Sequence, residues 1–213
     1  MKQILRSVAQ IIVCTWIISS HAQQSFNDLQ EAVEKAEVHR VEGFLNQGLD
    51  PNTTDASGHT LLMKAARLGH TEIVKLLIGR KASVGRLSPA GDTALMHACL
   101  GGNLSVVQAL VEAGSVINRR GWAPLHYASY GGSGAVVKLL LDRGAELEAV
   151  APNGYTAIML AARNGNQDAT KVLLNAKPNL GHRDAAGQTA LTLAVKADHP
   201  EVVKLLKAAG ATE

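Results

Sequence analysis

The sequence predicts an all-α solenoid: helix–turn–helix units stacked side by side and joined by extended, hairpin-like loops. Three observations carry that prediction. Thr60, Thr93, Ala123, Thr156 and Thr189 open the related strings TLLMKAA, TALMHAC, APLHYAS, TAIMLAA and TALTLAV, spaced by 33, 30, 33 and 33 residues. A separate ladder, Gly48-Leu49, Lys81-Ala82, Gly114-Ser115, Gly144-Ala145, Lys177-Pro178 and Gly210-Ala211, steps by 33, 33, 30, 33 and 33. Fixed periods of this length mark repeat architectures, and both ladders carry the same three-residue deletion. Finally, 46% of the 213 residues are apolar but only 3% are aromatic, so the core is built of Ala, Leu and Val, whose small side chains suit closely packed helices.

The N-terminus stands apart from the repeats. Lys2 and Arg6 form a positive start, Val8 to Ile18 an apolar run, and Ser20-His21-Ala22 a small-x-small ending, which is the build of a secretory signal peptide over residues 1–22, cleaved after Ala22. The run is shorter than the about 18 residues of a membrane-spanning helix. A lipoprotein reading through Cys14 is disfavoured, because bulky Val13 precedes it and the cysteine lies inside the apolar run. The repeat domain then covers residues 25–213, as a degenerate unit at 25–54 and further units at 55–87, 88–117, 118–150, 151–183 and 184–213.

Within each unit the periodicity predicts an inner helix, a tight turn and an outer helix. Leu61 to Leu68 is such an inner helix, broken at Gly69-His70. The outer helices carry apolar residues at helical spacing: Ile73, Val74, Leu76 and Leu77, then Val106, Val107, Ala109 and Leu110, then Val136, Val137, Leu139 and Leu140, then Val202, Val203, Leu205 and Leu206. In the first unit Ser25 with Asp28 predicts an N-cap, with Leu29, Ala32, Val33, Val41 and Phe44 inward and Glu31, Glu34, Lys35 and Glu37 on the outer surface. The last helix ends at Lys204, Lys207 and Gly210.

These features resemble the ankyrin repeat family, whose pattern runs roughly G-x-T-P-L-H-x-A-A-x-x-G-H and then V-V-x-x-L-L-x-x-G-A. Gly58, Gly91, Gly121, Gly154 and Gly187 match its turn glycine, and Ala65-Ala66, Ala98 and Ala161-Ala162 its paired alanines. The resemblance implies a stack of about six units, above the three or so that such an array needs. It also implies that Thr and His of T-P-L-H hydrogen-bond within a unit. Here Met63, Met96, Met159 and Thr192 replace the histidine, and His126 follows Ala123. The expectation is therefore some loss of polar locking, offset in part by Met packing, with Thr170 weakening the fifth unit further.

Candidate chemistry is sparse. The eight histidines are scattered along the chain with no H-x-x-x-H or Cys-rich cluster, so no metal site is expected. Ser133 in Gly131-Gly132-Ser133-Gly134 occupies the turn between helices and not a nucleophile elbow, and no Gly-Lys-Ser/Thr follows to make a phosphate loop. Cys99 stands at a crowded inner-helix position and reads as a small apolar residue. The expectation is no enzyme activity, no cofactor and no catalytic residue. Setting aside Lys2 and Arg6, 19 bases face 18 acids, which gives no reason to expect nucleic-acid binding.

What the resemblance leaves is a concave strip that binds protein. One column of residues, after each turn glycine, reads His59, Asp92, Trp122, Tyr155, Gln188; a second, at the end of each inner helix, reads Arg67, Leu100, Tyr130, Arg163, Lys196. Trp122, Tyr155, Tyr130 and Arg163 are expected to converge on the fourth and fifth units, flanked by Arg119, Arg120 and Asn164, with Arg67 further along. Trp, Tyr and Arg dominate interface hot spots, whereas His126 and Tyr127 are expected to be structural. The expected partner is a protein, with no nucleic acid, no membrane once the leader is removed, and a monomer as the default state. The expected location is the periplasm, with secretion as the alternative. Three roles are compatible: inhibitor or protective partner of a periplasmic enzyme or toxin, passive envelope scaffold, or a small-molecule or peptidoglycan-binding module.

Overall fold

The computed structural model describes residues 24–212; the leader assigned to residues 1–22 lies outside them. The described residues form consecutive helix pairs: α1 (24–34) with α2 (Val38–Asn46), α3 (Leu61–Leu68) with α4 (Thr71–Gly79), and α5 (Ala94–Leu100) with α6 (Leu104–Glu112). Then follow α7 (Pro124–Gly131) with α8 (Gly134–Asp142), α9 (Ala157–Arg163) with α10 (Gln167–Asn175), and α11 (Ala190–Lys196) with α12 (Pro200–Ala208). Helices this short are marginal on their own in water. They persist because each buries an apolar face against its neighbours.

The odd-numbered helices from α3 to α11 stack on one another, and the even-numbered helices do the same in a second layer. Between the layers lies one continuous core. Ala65, Ala66, Ala98, Cys99, Ala161 and Ala162 are fully buried on the inner helices, facing Ile73, Val74, Val106, Val107, Val136 and Val137 of the outer ones. Burial pushes the Cys99 thiol up, so it is inert packing, as its sequence position suggests. In the first pair Leu29, Ala32, Val33 and Val41 are buried. Ser25, however, lies inside α1 and is not its N-cap; the side-chain bond there runs from Gln24 Nε2 to Asp28 Oδ1 at 2.9 Å.

The second sequence ladder corresponds to a backbone requirement. Gly48, Gly114, Gly144 and Gly210 have φ of 93°, 86°, 84° and 88°, and Lys81 and Lys177 hold the same left-handed conformation at 64° and 58°. That costs about 1–2 kcal/mol for an L-residue. Preceding each inner helix, a tight turn closes on itself in four places: Asp55 N to His59 O, Ser88 N to Asp92 O, Ala151 N to Tyr155 O and Asp184 N to Gln188 O, all 2.9–3.0 Å. The loop before α7, shortened by three residues, lacks this closure. Arg119 Nη1 instead donates to Gly91 O of the preceding turn at 3.0 Å.

The expected loss of polar locking is corrected in one respect. Thr60 Oγ1 accepts from Met63 N at 3.2 Å while Thr60 N donates to Met63 Sδ at 3.5 Å, and Thr93 with Met96 repeats the arrangement. The thioether, a weak acceptor, takes the backbone proton that an imidazole nitrogen would accept. What methionine cannot do is donate onward. His126 does so: its Nδ1 accepts from Ala123 N at 2.9 Å, which places the proton on Nε2, 2.9 Å from Ala149 O of the next loop. Burial holds His126 below the ordinary histidine value, in keeping with this neutral form.

Candidate functional site

Successive units are tied by the residue that precedes each outer helix. His70 Nε2 lies 3.2 Å from Glu34 O, and His199 Nε2 3.1 Å from Arg163 O. Asn103 Nδ2 reaches Ala66 O and Arg67 O at 3.4 and 3.3 Å, and Asn166 Nδ2 reaches Ser129 O and Tyr130 O at 2.9 and 2.8 Å. These straps fix the C-terminal ends of the inner helices and so align the column Glu34, Arg67, Leu100, Tyr130, Arg163, Lys196. Close approach is essential to them: a Cβ on Gly165, which has φ of 69°, would lie 2.7 Å from His199 Nδ1. The exception is Ser133, whose short side chain only caps α8, accepting from Val136 N at 3.4 Å.

At that exceptional junction the surface opens into a cleft of about 210 Å³ lined by Leu100, Trp122, His126, Tyr127 and Tyr130. Pro124 starts α7 at its first turn, where its missing N–H is no loss, and Leu125 and Ala128 bury the opposite face. Tyr130 therefore emerges 53% exposed, and Trp122, on the shortened loop, 37% exposed. Trp122 is held edge-to-face by His126 and Tyr127, ring centroids 5.8 and 6.1 Å apart, contacts worth about 0.5–1.5 kcal/mol each beyond burial. The Tyr127 hydroxyl donates to Asp92 Oδ1 across the junction. Burial, with that carboxylate, pushes the hydroxyl up and keeps it a donor.

The aromatic and basic residues singled out from the sequence therefore separate into groups. Trp122 and Tyr130 share the cleft. Tyr155, half-buried, packs under Arg163, whose guanidinium carbon lies 5.6 Å from the ring centroid, and the neighbouring Asn164 leaves Nδ2 buried without a hydrogen-bond partner. Arg67 lines a groove of about 590 Å³ with Glu34, Asp55, His59, Lys64 and His97. There Lys64 bridges Glu34 at 3.2 Å and Asp55 at 3.3 Å. Burial works against charge on Asp55, but the backbone N–H of His59 and then Lys64 outweigh it and hold the carboxyl below its usual range. Arg119 and Arg120 line a loop-side groove with Asn118, Gly121 and Glu146, and Arg119 is engaged by Gly91 O.

Three residues have places that the sequence reading missed. Leu100 forms a wall of the cleft, and Tyr127 both ties the junction and lines it. Glu34, assigned to the outer surface, begins the concave column; the shared 36-residue interval from Glu34 to His70 and from Arg163 to His199 is the signal that would have found it. Among the described residues no cluster of three or more His, Cys, Asp or Glu could hold a metal ion, and no helix is long and apolar enough to cross a membrane.

A model described as "Ankyrin repeats (3 copies)" matches residues 29–120, 80–151 and 125–212. The chain is 34% identical over 115 residues to rat Ankyrin repeat and SAM domain-containing protein 6, covering 52% of this chain and 13% of that protein. It is 32% identical over 151 residues to human SH3 and multiple ankyrin repeat domains protein 1, covering 68% of this chain and 7% of that one. The chain thus spans a small part of the length of these relatives. The crystal structure of the human ASB11 ankyrin repeat domain superposes with a TM-score of 0.79 at 26% identity, covering 86% of this chain and 84% of that one. Ankyrin repeats are in general protein–protein interaction modules without catalytic activity of their own. From its repeat period, its two-layer stack and these matches, the chain belongs to the ankyrin repeat family.

Proposed function

We propose that this chain is an exported, monomeric binding protein that captures one protein partner on the concave strip, acting as inhibitor or protector of an enzyme or toxin in the periplasm and catalysing no reaction itself. The observation that carries the reading is the aromatic cleft at the third-to-fourth junction, where exposed Trp122, Tyr130 and Leu100 line one concave apolar surface. Aromatic anchors of this kind bury large areas at low entropic cost. The cleft, about 210 Å³, falls short of the ~300–1,000 Å³ of small-molecule sites. That favours a protein side chain over a free ligand. Support for export comes from Lys2, Arg6, the Val8 to Ile18 run and Ser20-His21-Ala22.

The test is affinity capture from periplasmic extract beside Trp122→Ala, Tyr130→Ala and Tyr155→Ala variants of unchanged helical signal, together with the intact mass of the exported chain. Loss of a true anchor should weaken capture by about 2 kcal/mol or more, and the exported mass should start at residue 23. Equal capture by all variants would overturn the binding strip. A retained leader would overturn export.

A further inference from the structure

Resting on that binding reading and deepening it, we infer that the partner presents an acidic segment to the strip. It seats one large apolar side chain between Leu100, Trp122 and Tyr130 and sets carboxylates on Arg67 to one side and Arg163 to the other. The charge pattern along the strip points to this chemistry. From the third pair's neighbours outward the column holds Arg67, Arg163 and Lys196, and its one acid, Glu34, is engaged by Lys64. The Arg67 guanidinium has no hydrogen bond or ion pair among the described residues, while the acids that share its groove are already matched: Glu34 by Lys64, and Asp55 by Lys64 and its own turn. His97, on the wall of the same groove, is held below its ordinary value by burial, which outweighs the opposing pull of Asp92. Arg67 is therefore the uncommitted cation at that end.

At the other end the Arg163 guanidinium lies over the Tyr155 ring with no carboxylate partner among the described residues, and beyond it Lys196 Nζ rests on the neutral Gln188 Oε1 at 2.6 Å. A guanidinium that lies over an aromatic ring without an ion pair still has its fork of N–H donors to offer a carboxylate. The two arginines stand symmetrically about the cleft, one unit beyond Leu100 and one beyond Tyr130. Helices stacked about 8–10 Å apart put each some one and a half units, roughly 12–15 Å, from its centre. At about 3.3 Å per residue of extended chain, the carboxylates fall about four residues before and after the apolar anchor.

The experiment is selection of displayed random peptides, about 15 residues long so that they span both arginines, on the purified protein with the Trp122→Ala/Tyr130→Ala variant as counter-screen. Synthetic copies of the enriched peptides are then titrated by fluorescence anisotropy. The expected result is enrichment of one Trp, Phe, Leu or Ile flanked on both sides by Asp or Glu at about four residues, with affinity falling tenfold or more in Arg67→Glu and in Arg163→Glu. The same peptides should weaken as salt rises from about 0.05 to about 0.5 M. Peptides lacking acids, or acidic peptides that ignore both charge reversals, overturn the inference while leaving the binding strip intact if Trp122→Ala still abolishes them. Peptides that bind the counter-screen variant equally well, or no enrichment above it, overturn the inference, and equal binding overturns the strip as well.

Discussion

The junction between the third and fourth pairs and the junctions on either side of it are built from the same apolar stack but closed by different polar chemistry. Elsewhere an imidazole or carboxamide, His70, Asn103, Asn166 or His199, reaches back to the carbonyls ending the previous inner helix. At the third-to-fourth junction Ser133 is too short to reach, and the hold passes to the Tyr127–Asp92 bond and the Arg119–Gly91 bond. α5 and α7 also come close there, since a Cβ on Gly131 would meet Leu100 O at 2.5 Å. The difference teaches that the repeat departs from its pattern where its surface is most aromatic. Moving the tie from the turn to Tyr127 and shortening the loop by three residues together leave Trp122 and Tyr130 facing solvent.

The comparison is sharpened first by substitutions that should ignore it. Leu95→Ala, beside the irregular junction, and Leu191→Ala, far from it, remove side chains that are both almost fully buried, and each should lower unfolding free energy in urea by about 2–5 kcal/mol. A large disparity would show that the apolar stack is not uniform. Next, Tyr127→Phe breaks a bond to a charged acceptor and should cost about 1.5–3 kcal/mol, while Asn166→Ala removes two neutral bonds and should cost about 1–2 kcal/mol. If Tyr127→Phe is neutral, the irregular junction is held by something other than its hydroxyl.

Smaller effects probe the polar atoms that remain. Thr170 is fully buried with Oγ1 unpartnered, so Thr170→Val should stabilise the fifth unit by about 1 kcal/mol, read as a higher urea midpoint. Acid should act through His97 and His126, both held below the ordinary histidine value by burial before any other cause. Protonation therefore favours the unfolded chain. Their stabilisation is complete above the unfolded value of about 6.5 and is lost as pH falls from there toward their folded values. The melting temperature should drop between about pH 7.5 and 5.5, and a His97→Gln/His126→Gln variant should lose most of that slope; an unchanged slope would contradict the neutral forms assigned to both rings.

Most of the fold was legible in the sequence because a stacked repeat writes each buried position several times. Val106, Val136 and Val202 announce one another, and so do Gly114 and Gly144. Trp122 and Tyr130 stood out in the sequence as candidates, but the grouping of the candidate residues did not. Tyr155 and Arg163 pair off because both belong to the fifth unit, and Trp122 turns instead to His126 and Tyr127, a choice set by the path of the shortened loop. The thioether bonds of Met63 and Met96 were hidden because periodicity reports where a side chain sits, not which proton it accepts.

The central claim is that the irregular junction is the binding surface, and amide hydrogen exchange of the protein alone and with its captured partner tests it most directly. The account predicts new protection at Leu100, Trp122 and Tyr130, extending to Arg67 and Arg163, with the outer helices unchanged. Protection confined to the outer helices, or to the loop residues Leu87, Val116 and Val150, would contradict it.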